Sequence, residues 1–289
     1  MKNTTCFFVS DLHGHLVRYH KLFDLIVRER PLALFLGGDL LPSGLLNIFS
    51  GSQVYHDFIE QVLHQGFARL QHELEEDYPQ VYIILGNDDG KFAEQQIIAL
   101  AEQGVWHYAH NRHFSLGDFL VCGYAYVPPT PFTLKDWERY DVSRYVDPGC
   151  TSPEEGYYSA LISDDAKRWS TIQHDLQQLT VSKPLEKAIF LFHAPPYDTN
   201  LDRAALDGNM FDNAPLDVHV GSIAIRRFIQ QGQPHLTLHG HIHESARLTG
   251  DWRDQIGKTW CFSAAHDGPE LAVIAFDVAR PAQAVRRLL

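Results

Sequence analysis

Five short apolar stretches of the sequence end in side chains that can bind metal ions. The groups that follow them, in chain order, are Asp11-Leu12-His13, Gly37-Gly38-Asp39, Gly86-Asn87-Asp88-Asp89, His193-Ala194-Pro195-Pro196 and Gly240-His241-Ile242-His243. Carboxylates, imidazoles and an amide carbonyl together suit manganese, iron or zinc. None of the four cysteines joins these groups, which disfavours a structural zinc site. The pattern therefore indicates a catalytic metal centre.

A pair of such ions has a specific use in phosphate chemistry. Two ions about 3.5–4 Å apart can hold a phosphate, lower the pKa of a water between them and stabilise an in-line displacement. Ions this close need a shared ligand, and Asp39, a lone carboxylate at a strand end, is the natural candidate. One ion alone rarely takes as many side-chain ligands as this chain offers, which disfavours a mononuclear hydrolase.

Alternating strands and helices are expected to bring these groups together. The apolar runs 5–10, 32–36, 81–85, 188–192 and 235–239 predict buried strands, and the periodicity of 16–28, 55–76, 94–103 and 222–231 predicts helices. In an open α/β sheet, ligands bind outside the carboxyl ends of the strands. Glycines at those ends, such as Gly38, Gly86 and Gly240, allow sharp turns and close approach to an ion or phosphate.

The second half of the chain suggests another sheet. Residues 114–123 contain Gly117-Asp118 between two apolar runs, which is a hairpin signal. Residues 259–263 and 271–277 are expected to form a further strand pair, so this sheet should be the more antiparallel one. Because no repeat or low-complexity linker interrupts the chain, residues 1–289 are predicted to form a single domain.

Two long segments are expected to be loops. Residues 197–220 are polar and acidic, and residues 124–158 are rich in proline and aromatic residues. Long loops in compact domains are usually functional or mobile. The aromatic side chains of residues 124–158 could stack on a base or ring of a substrate, or could equally form a hydrophobic cover over the site. They are Tyr124, Tyr126, Phe132, Trp137, Tyr140 and Tyr145.

Composition excludes several classes of protein. With 45% hydrophobic and 21% charged residues, the 289-residue chain is ordinary for a globular protein. No run of about 18 apolar residues occurs, so no membrane partner is expected. A net charge of −12 argues against nucleic acid as the main partner but not against a phosphate substrate, because bound metals reverse the local field. The short apolar stretch before Asp11 indicates a strand rather than a signal peptide, and hence a cytoplasmic protein.

The ordered motifs resemble those of the calcineurin-like metallophosphoesterase superfamily, from Asp11 to about His243. The stretches that look like the Icc-related predicted phosphoesterases are His193-Ala194-Pro195-Pro196-Tyr197, Asn200-Leu201-Asp202, His219-Val220-Gly221-Ser222 and Gly240-His241-Ile242-His243-Glu244. The resemblance implies an α/β fold, a four-layer α/β/β/α sandwich with two packed mixed sheets. It also implies a metal-bound hydroxide that attacks a phosphate mono- or diester, with manganese the expected metal in vitro.

The resemblance also assigns the ligands of two divalent ions. Asp11, His13 and His243 would hold the first ion, and Asn87, His193 and His241 the second, with Asp39 bridging both. Asp88 and His241 would take part in catalysis. The partner would be a small phosphorylated molecule, including a nucleotide or a phosphodiester, and the sequence leaves its identity and the oligomeric state open.

One position departs from the family pattern. Many active members have histidine after the motif asparagine, where it protonates the leaving group or steadies the phosphate, and this chain has Asp88 followed by Asp89. A carboxylate acts as a general acid only when protonated, and two nearby cations would lower its pKa. Asp88 could instead orient a histidine, touch a metal-bound water, or favour substrates with good leaving groups, while Asp89 could support a ligand.

The departure keeps a second function open. A catalytically weak, metal-binding scaffold protein with a phosphoesterase fold would also tolerate Asp88, although scaffolds of this kind typically lose one or more ligands. Two loop histidines, His15 and His266, could replace the missing imidazole, but each is better explained as an ordinary loop residue. His239, the last residue of its strand, is expected to be structural.

Overall fold

The computed structural model describes residues 4–43 and 53–289, and it contains two six-stranded sheets. The first sheet has the order β14-β13-β1-β2-β3-β4. Its strands are β1 (Thr5–Val9), β2 (Ala33–Gly37), β3 (Gln80–Ile84), β4 (His107–Tyr108), β13 (Ala272–Asp277) and β14 (Val285–Leu288). Strands β1 to β4 run parallel, and β13 and β14 are antiparallel to their neighbours.

The second sheet has the order β11-β12-β10-β7-β6-β5. Its strands are β5 (His113–Leu116), β6 (Phe119–Tyr124), β7 (Ala188–Phe192), β10 (Leu236–His239), β11 (Arg253–Ile256) and β12 (Thr259–Ser263). Strands β6, β7, β10 and β12 are parallel, and the edge strands β5 and β11 are antiparallel to their neighbours. The small hairpin β8–β9 (Met210–Phe211 and Ala214–Pro215) lies outside both sheets.

Helices cover the outer faces of the two sheets. They are α1 (Leu16–Glu29), α2 (Gln53–Phe58), α3 (Gln65–Leu74), α4 (Glu94–Ala101), α5 (Asp164–Trp169), α6 (Ile172–Leu179), α7 (Ile223–Gly232) and α8 (Ser245–Thr249). On the first sheet, α1 meets α3 through Phe23 and Phe67, whose ring centroids are 5.2 Å apart. On the second, Phe228 of α7 packs edge-on against Phe190 of β7 at 4.8 Å. The layers confirm the predicted four-layer α/β/β/α sandwich.

Aromatic side chains fill the space between the sheets. Phe276 of β13 contacts Phe262 of β12, with ring centroids 6.0 Å apart, and Tyr82 of β3 contacts Phe114 of β5 at the same distance. The buried apolar residues of both sheets belong to one hydrophobic cluster. The single-domain assignment of residues 1–289 stays a prediction. Within the described ranges, no helix is long and apolar enough to span a membrane.

Two expectations about the second sheet are wrong. Residues 259–263 and 271–277 do not pair, because β12 pairs with β10 and β11 while β13 pairs with β1 and β14. The loop between them carries the chain from one sheet to the other. The second sheet is also no more antiparallel than the first, since each has three parallel and two antiparallel pairings.

The predicted helix over residues 55–76 is interrupted. A π-helical segment, Ile59–His64, separates α2 from α3. Extra residues in π-turns are accommodated locally inside helices. The buried side chains Ile59, Leu63, Phe67 and Leu70 nevertheless continue along one face, so the apolar stripe seen in the sequence still faces the sheet.

Candidate metal centre

The predicted ligands leave both sheets at one edge. Asp11, Asp39 and Asn87 follow the parallel strands β1, β2 and β3, while His193 and His241 follow the parallel strands β7 and β10. Parallel neighbours end at the same side of a sheet. The sequence indicated one crevice, and the structure builds it from the ends of two sheets.

Two overlapping groups of ligand atoms result. In the first, ligand atoms of Asp11, His13, Asp39 and His243 all lie within 4.8 Å of one another, and in the second the same holds for Asp39, His193 and His241. Asp39 belongs to both groups. A carboxylate shared between two ligand sets is the arrangement that a bridging ligand requires.

The side chain of Asn87 completes the second group. Its Oδ1 lies 3.0 Å from Nε2 of His193. On the opposite side, Nδ1 of His193 is fixed by the carbonyl oxygen of Gly37 at 2.8 Å. This bond assigns the proton to Nδ1 and leaves Nε2 as the ligand atom, the usual device for orienting a metal-binding histidine.

Several ligands stand on left-handed backbone. The φ angles are 57° at Asp11, 47° at His13, 51° at Asp39 and 74° at His241. Residues other than glycine rarely adopt this conformation, and it concentrates at functional sites where the surroundings enforce it. Here the turns brace each other, because the N–H groups of Asp11 and His13 donate to the carbonyls of Gly38 and Asp39 at 3.0 and 2.8 Å.

Glycines make room for the ligands. A Cβ atom on Gly86 would lie 2.4 Å from Oδ1 of Asp39 and 2.6 Å from Nε2 of His193, and one on Gly240 would lie 2.7 Å from Oδ2 of Asp11. Any side chain at these positions would displace a ligand atom. The backbone therefore forms a cradle that fits a metal centre and excludes larger residues.

Asp89 ties two of the turns together. Its fully buried carboxylate accepts hydrogen bonds from the N–H groups of Leu40, Leu41 and Gly86, at 2.8 to 3.1 Å. These groups flank Asp39 on one turn and Asn87 on the other. The expectation that Asp89 supports a ligand fits these contacts. Burial, with the charge of Asp39, raises its pKa to about 7.

The pKa shifts in this cluster keep the carboxylates of Asp11 and Asp39 ionised, which favours the binding of cations. Burial alone would raise the pKa of Asp11, but the hydrogen bond and charge of His243 lower it to about 2, and the pKa of Asp39 is also lowered, mainly by His193. Burial would lower the pKa of His13 and His193, but the neighbouring carboxylates raise each to about 9. His241, dominated by burial and by the charge of His193, has a pKa lowered to about 3.

Two imidazole nitrogens face each other across the first group. Nε2 of His13 and Nε2 of His243 are 3.2 Å apart, and Oδ1 of Asp11 lies 3.3 Å from the latter. Converging acceptor atoms around one point are the geometry of a cation site. Oxygen and nitrogen donors without sulfur fit divalent manganese, iron or zinc.

The remaining histidines have other contacts. His239 is fully buried, with its ring nitrogens 2.8 Å from the Ala194 carbonyl and from the hydroxyl of Thr237, which fits a structural role. His266 contacts Glu270 at 3.0 Å, and His15 is exposed beside helix α1. Neither of the last two belongs to the groups of potential ligands among the described residues.

Sequence reasoning missed Arg18. Its guanidinium donates to the carbonyl of Asp11 at 2.8 Å and to that of Gly268 at 2.5 Å, which joins the turn after β1 to the loop before β13. The only available signal was an arginine in the first turn of a helix that directly follows a ligand motif. Such a signal is too common to single out the residue.

Four of the six aromatic residues singled out in the loop 124–158 are buried. Tyr124, Tyr126, Trp137 and Tyr140 are at most 6% exposed, whereas Phe132 and Tyr145 are 56% and 68% exposed. The buried set corresponds to the hydrophobic cover, and only the exposed rings could stack on a ligand. The loop contacts the segment that follows Asn87, because Asp136 accepts the N–H of Lys91 at 2.7 Å.

The acidic loop 197–220 is organised by a buried carboxylate. Asp202 accepts the N–H groups of Asp198, Thr199 and Gly221 at 2.9 to 3.1 Å and contacts His219 at 2.8 Å. Glu244, next to the ligand His243, accepts the N–H of Ala205 in the same loop at 3.0 Å. The motifs Asn200-Leu201-Asp202 and His219-Val220-Gly221 therefore shape this loop.

The family model of the calcineurin-like phosphoesterases matches residues 5–245. The chain belongs to the calcineurin-like phosphoesterase family. The match covers every predicted ligand and confirms the resemblance read from the sequence. Members of this family use divalent metals, in keeping with the cluster around Asp39.

The chain is also similar to individual known proteins, and two solved structures share its fold. The chain resembles TT1561 of Thermus thermophilus, with a TM-score of 0.54 and 17% identity over 98% of both chains. It also resembles a dimetal phosphatase from Danio rerio, with a TM-score of 0.52 and 12% identity over 98% of this chain and 95% of that one. The uncharacterized protein MJ1162 of Methanocaldococcus jannaschii is 36% identical over 83 residues, which span 28% of this chain and 32% of that protein.

Proposed function

We propose that this calcineurin-like phosphoesterase hydrolyses a phosphate mono- or diester at a dinuclear metal centre. Asp11, His13 and His243 would hold one ion, Asn87, His193 and His241 the other, and Asp39 both. The observation that carries the proposal is the membership of Asp39 in both groups of ligand atoms. When bound, two divalent ions would supply Lewis acidity toward the phosphate and a nucleophile derived from water.

The residues of the chain would prepare this site in two ways. Asp39 is held by the N–H of Asp88, which donates to Oδ1 at 2.8 Å, so Oδ2 is directed toward Nε2 of His193 and of His13 at 3.4 and 3.8 Å. The turns and hydrogen bonds around the ligands would also fix them before the substrate binds. A preorganised site spends no free energy on reorganisation when the transition state forms.

The proposed substrate is a small phosphorylated molecule, such as a nucleotide or a phosphodiester. A macromolecular nucleic acid fits poorly with the net charge of −12. Manganese is the proposed metal for assays, and the cytoplasm the proposed location. Asp88 and His241 are retained as proposed participants in the reaction, His241 through its place among the ligands.

The test compares the parent with Asp39→Asn on p-nitrophenyl phosphate and bis-p-nitrophenyl phosphate in the presence of manganese. Asp118→Asn serves as the matched control, because Asp118 lies in the exposed turn of the β5–β6 hairpin. We expect turnover by the parent and the control and a loss of at least about 100-fold in Asp39→Asn, since a shared ligand supports both ions.

Two results would overturn the proposal. One is a folded, manganese-loaded parent without turnover on either ester or on nucleotides, which would favour the metal-binding scaffold. The other is an Asp39→Asn variant as active as the control, which would remove the shared carboxylate from the mechanism. The ratio of diester to monoester rates assigns the subclass.

A further inference from the structure

The residue that departs from the family pattern makes a defined contact. Oδ2 of Asp88 lies 3.2 Å from Nδ1 of His13, and the two side chains are 24% and 20% exposed. The residues are far apart in sequence and meet only because the turns after β1 and β3 reach the same edge of the sheet.

The two ring nitrogens of His13 have different neighbours. Its Nδ1 faces Asp88, while its Nε2 faces the ligand cluster, 3.2 Å from Nε2 of His243 and 3.8 Å from Oδ2 of Asp39. A carboxylate that accepts the Nδ1 proton leaves Nε2 with a free lone pair. Metal-binding histidines are commonly oriented by a carboxylate in this way, and the carboxylate also makes the imidazole a stronger donor.

The second oxygen of Asp88 is engaged as well. The hydroxyl of Ser43 donates to Oδ1 at 2.8 Å, and the backbone N–H of Asp88 donates to Oδ1 of Asp39 at 2.8 Å. One residue thus contacts a ligand of the first group through its side chain and the shared ligand through its backbone. A carboxylate held on both oxygens is poorly placed to pass a proton to a leaving group.

We propose that Asp88 is a positioning residue that fixes the orientation and tautomer of His13, in place of the proton-donating histidine of many family members. The proposal rests on the dinuclear phosphoesterase function proposed above. It replaces a direct catalytic role for Asp88 with an indirect one. The consequence is that the leaving group departs without a proton from this position.

The experiment uses Asp88→Ala and Asp88→Asn in the full chain, with Asp118→Ala as the control for loss of a carboxylate. Manganese affinity is measured by titration calorimetry on metal-stripped protein. Turnover is measured on aryl phosphates whose leaving groups differ in pKa. An asparagine oxygen can still accept the Nδ1 proton, so Asp88→Asn should retain most of the affinity, whereas Asp88→Ala should lose about 10- to 100-fold.

The leaving-group series separates positioning from proton donation. A positioning role predicts that Asp88→Ala keeps the parent's dependence of rate on leaving-group pKa. A steeper dependence in both variants, with unchanged manganese affinity, would identify Asp88 as a proton donor and overturn the proposal. Equal manganese affinity in parent and Asp88→Ala would also overturn it. A parent without turnover would reject the proposed function, and the affinity arm would still judge the role of Asp88.

Discussion

Oδ2 of Asp39 and Nε2 of His193 lie 3.4 Å apart, although the two residues leave different sheets. Asp39 follows β2 and His193 follows β7. A cation bound between them would therefore join the carboxyl edges of both sheets. Metal binding and stability of the fold should be coupled for this reason, because the ligands converge only in the folded chain.

Manganese is expected to raise the melting temperature of the protein. A ligand that binds only the folded state stabilises it by about 2.7 kcal/mol when its concentration is 100 times the dissociation constant. Thermal melts of metal-stripped protein with and without manganese measure the rise, and His193→Ala should lose the part of it that the second ion supplies, because the first group of ligands does not include His193. Magnesium is a useful comparison, since it prefers oxygen ligands and should stabilise less. An equal rise in His193→Ala would contradict the assignment of the second ion.

Gly86→Ala should abolish activity while leaving the chain folded. The new Cβ would lie 2.4 Å from Oδ1 of Asp39 and 2.6 Å from Nε2 of His193, so a ligand has to move. We expect manganese affinity to fall at least about 10-fold, by the size of effects seen when ligands lose their support. Titration calorimetry measures the affinity, and circular dichroism checks the fold.

Gly104→Ala is the matched control for that substitution. Gly104 has φ +84°, and its added Cβ would meet nothing within 4 Å. Alanine should therefore cost about 1–2 kcal/mol through backbone strain but leave the metal centre unchanged. If the two variants lost metal affinity equally, the cradle around Asp39 would not be the cause.

The convergence of the candidate ligands was predictable from the sequence because each lies within a few residues of a strand end. A strand end fixes both the position and the direction of the next residue, so Asp11, Asp39 and Asn87 converge whenever their strands are parallel neighbours. The sequence left several roles open for Asp88, including the orientation of a histidine, and could not choose among them because the proposed role depends on a contact with His13 across 75 positions of sequence. Motifs place residues along the chain, whereas hydrogen-bond partners depend on the tertiary fold.

The assignment of each strand to one of the two sheets was harder to predict from the sequence. Strands β12 and β13 are both buried, and Phe262 and Phe276 contact each other across the sheet interface rather than within one sheet. An apolar pattern shows that a strand is buried, but it does not show which strands pair with it in its own sheet and which pack on it from the other sheet. The same limit applies to Tyr126 and Trp137, whose aromatic character suits stacking on a ligand but which are buried in the loop they belong to.

Glu138→Gln should strongly destabilise the protein. Lys135 and Glu138 are both fully buried, and the Lys135 ammonium donates to Glu138 and to the Thr130 carbonyl at 2.5 and 2.8 Å. Removing one charge leaves the other buried and unpaired, which typically costs about 3–5 kcal/mol. Urea unfolding measures the loss of free energy.

The exposed pair between Arg30 and Asp77 provides the control. Its atoms are 2.7 Å apart, but the side chains are 58% and 56% exposed. Asp77→Asn should therefore cost no more than about 1 kcal/mol.

Replacing Lys135 and Glu138 together by Met and Leu should recover much of the stability that Glu138→Gln loses. Failure to recover any of it would show that the hydrogen bonds to Thr130, rather than the charge, dominate.

His110 should make the protein less stable in mild acid. It is buried, and burial together with the charges of Lys91, Arg139 and Arg112 lowers its pKa well below the usual 6.5. Its Nδ1 accepts the N–H of Ala125 at 3.0 Å, which requires that nitrogen to be unprotonated. Since the folded pKa is depressed, the unfolded chain binds more protons below pH 6.5.

The stability contributed by His110 is therefore fully present above about pH 6.5 and decreases as the pH falls toward the lowered folded pKa, by at most about 1.4 kcal/mol per pH unit. His110→Gln, which keeps a hydrogen-bonding group but cannot titrate, should unfold in urea with a shallower dependence on pH between 6.5 and 5. His20→Gln, at an exposed position of α1, should keep the parent's slope. If both variants matched the parent, the acid sensitivity would have to come from other buried histidines, and the neutral state assigned to His110 would be wrong.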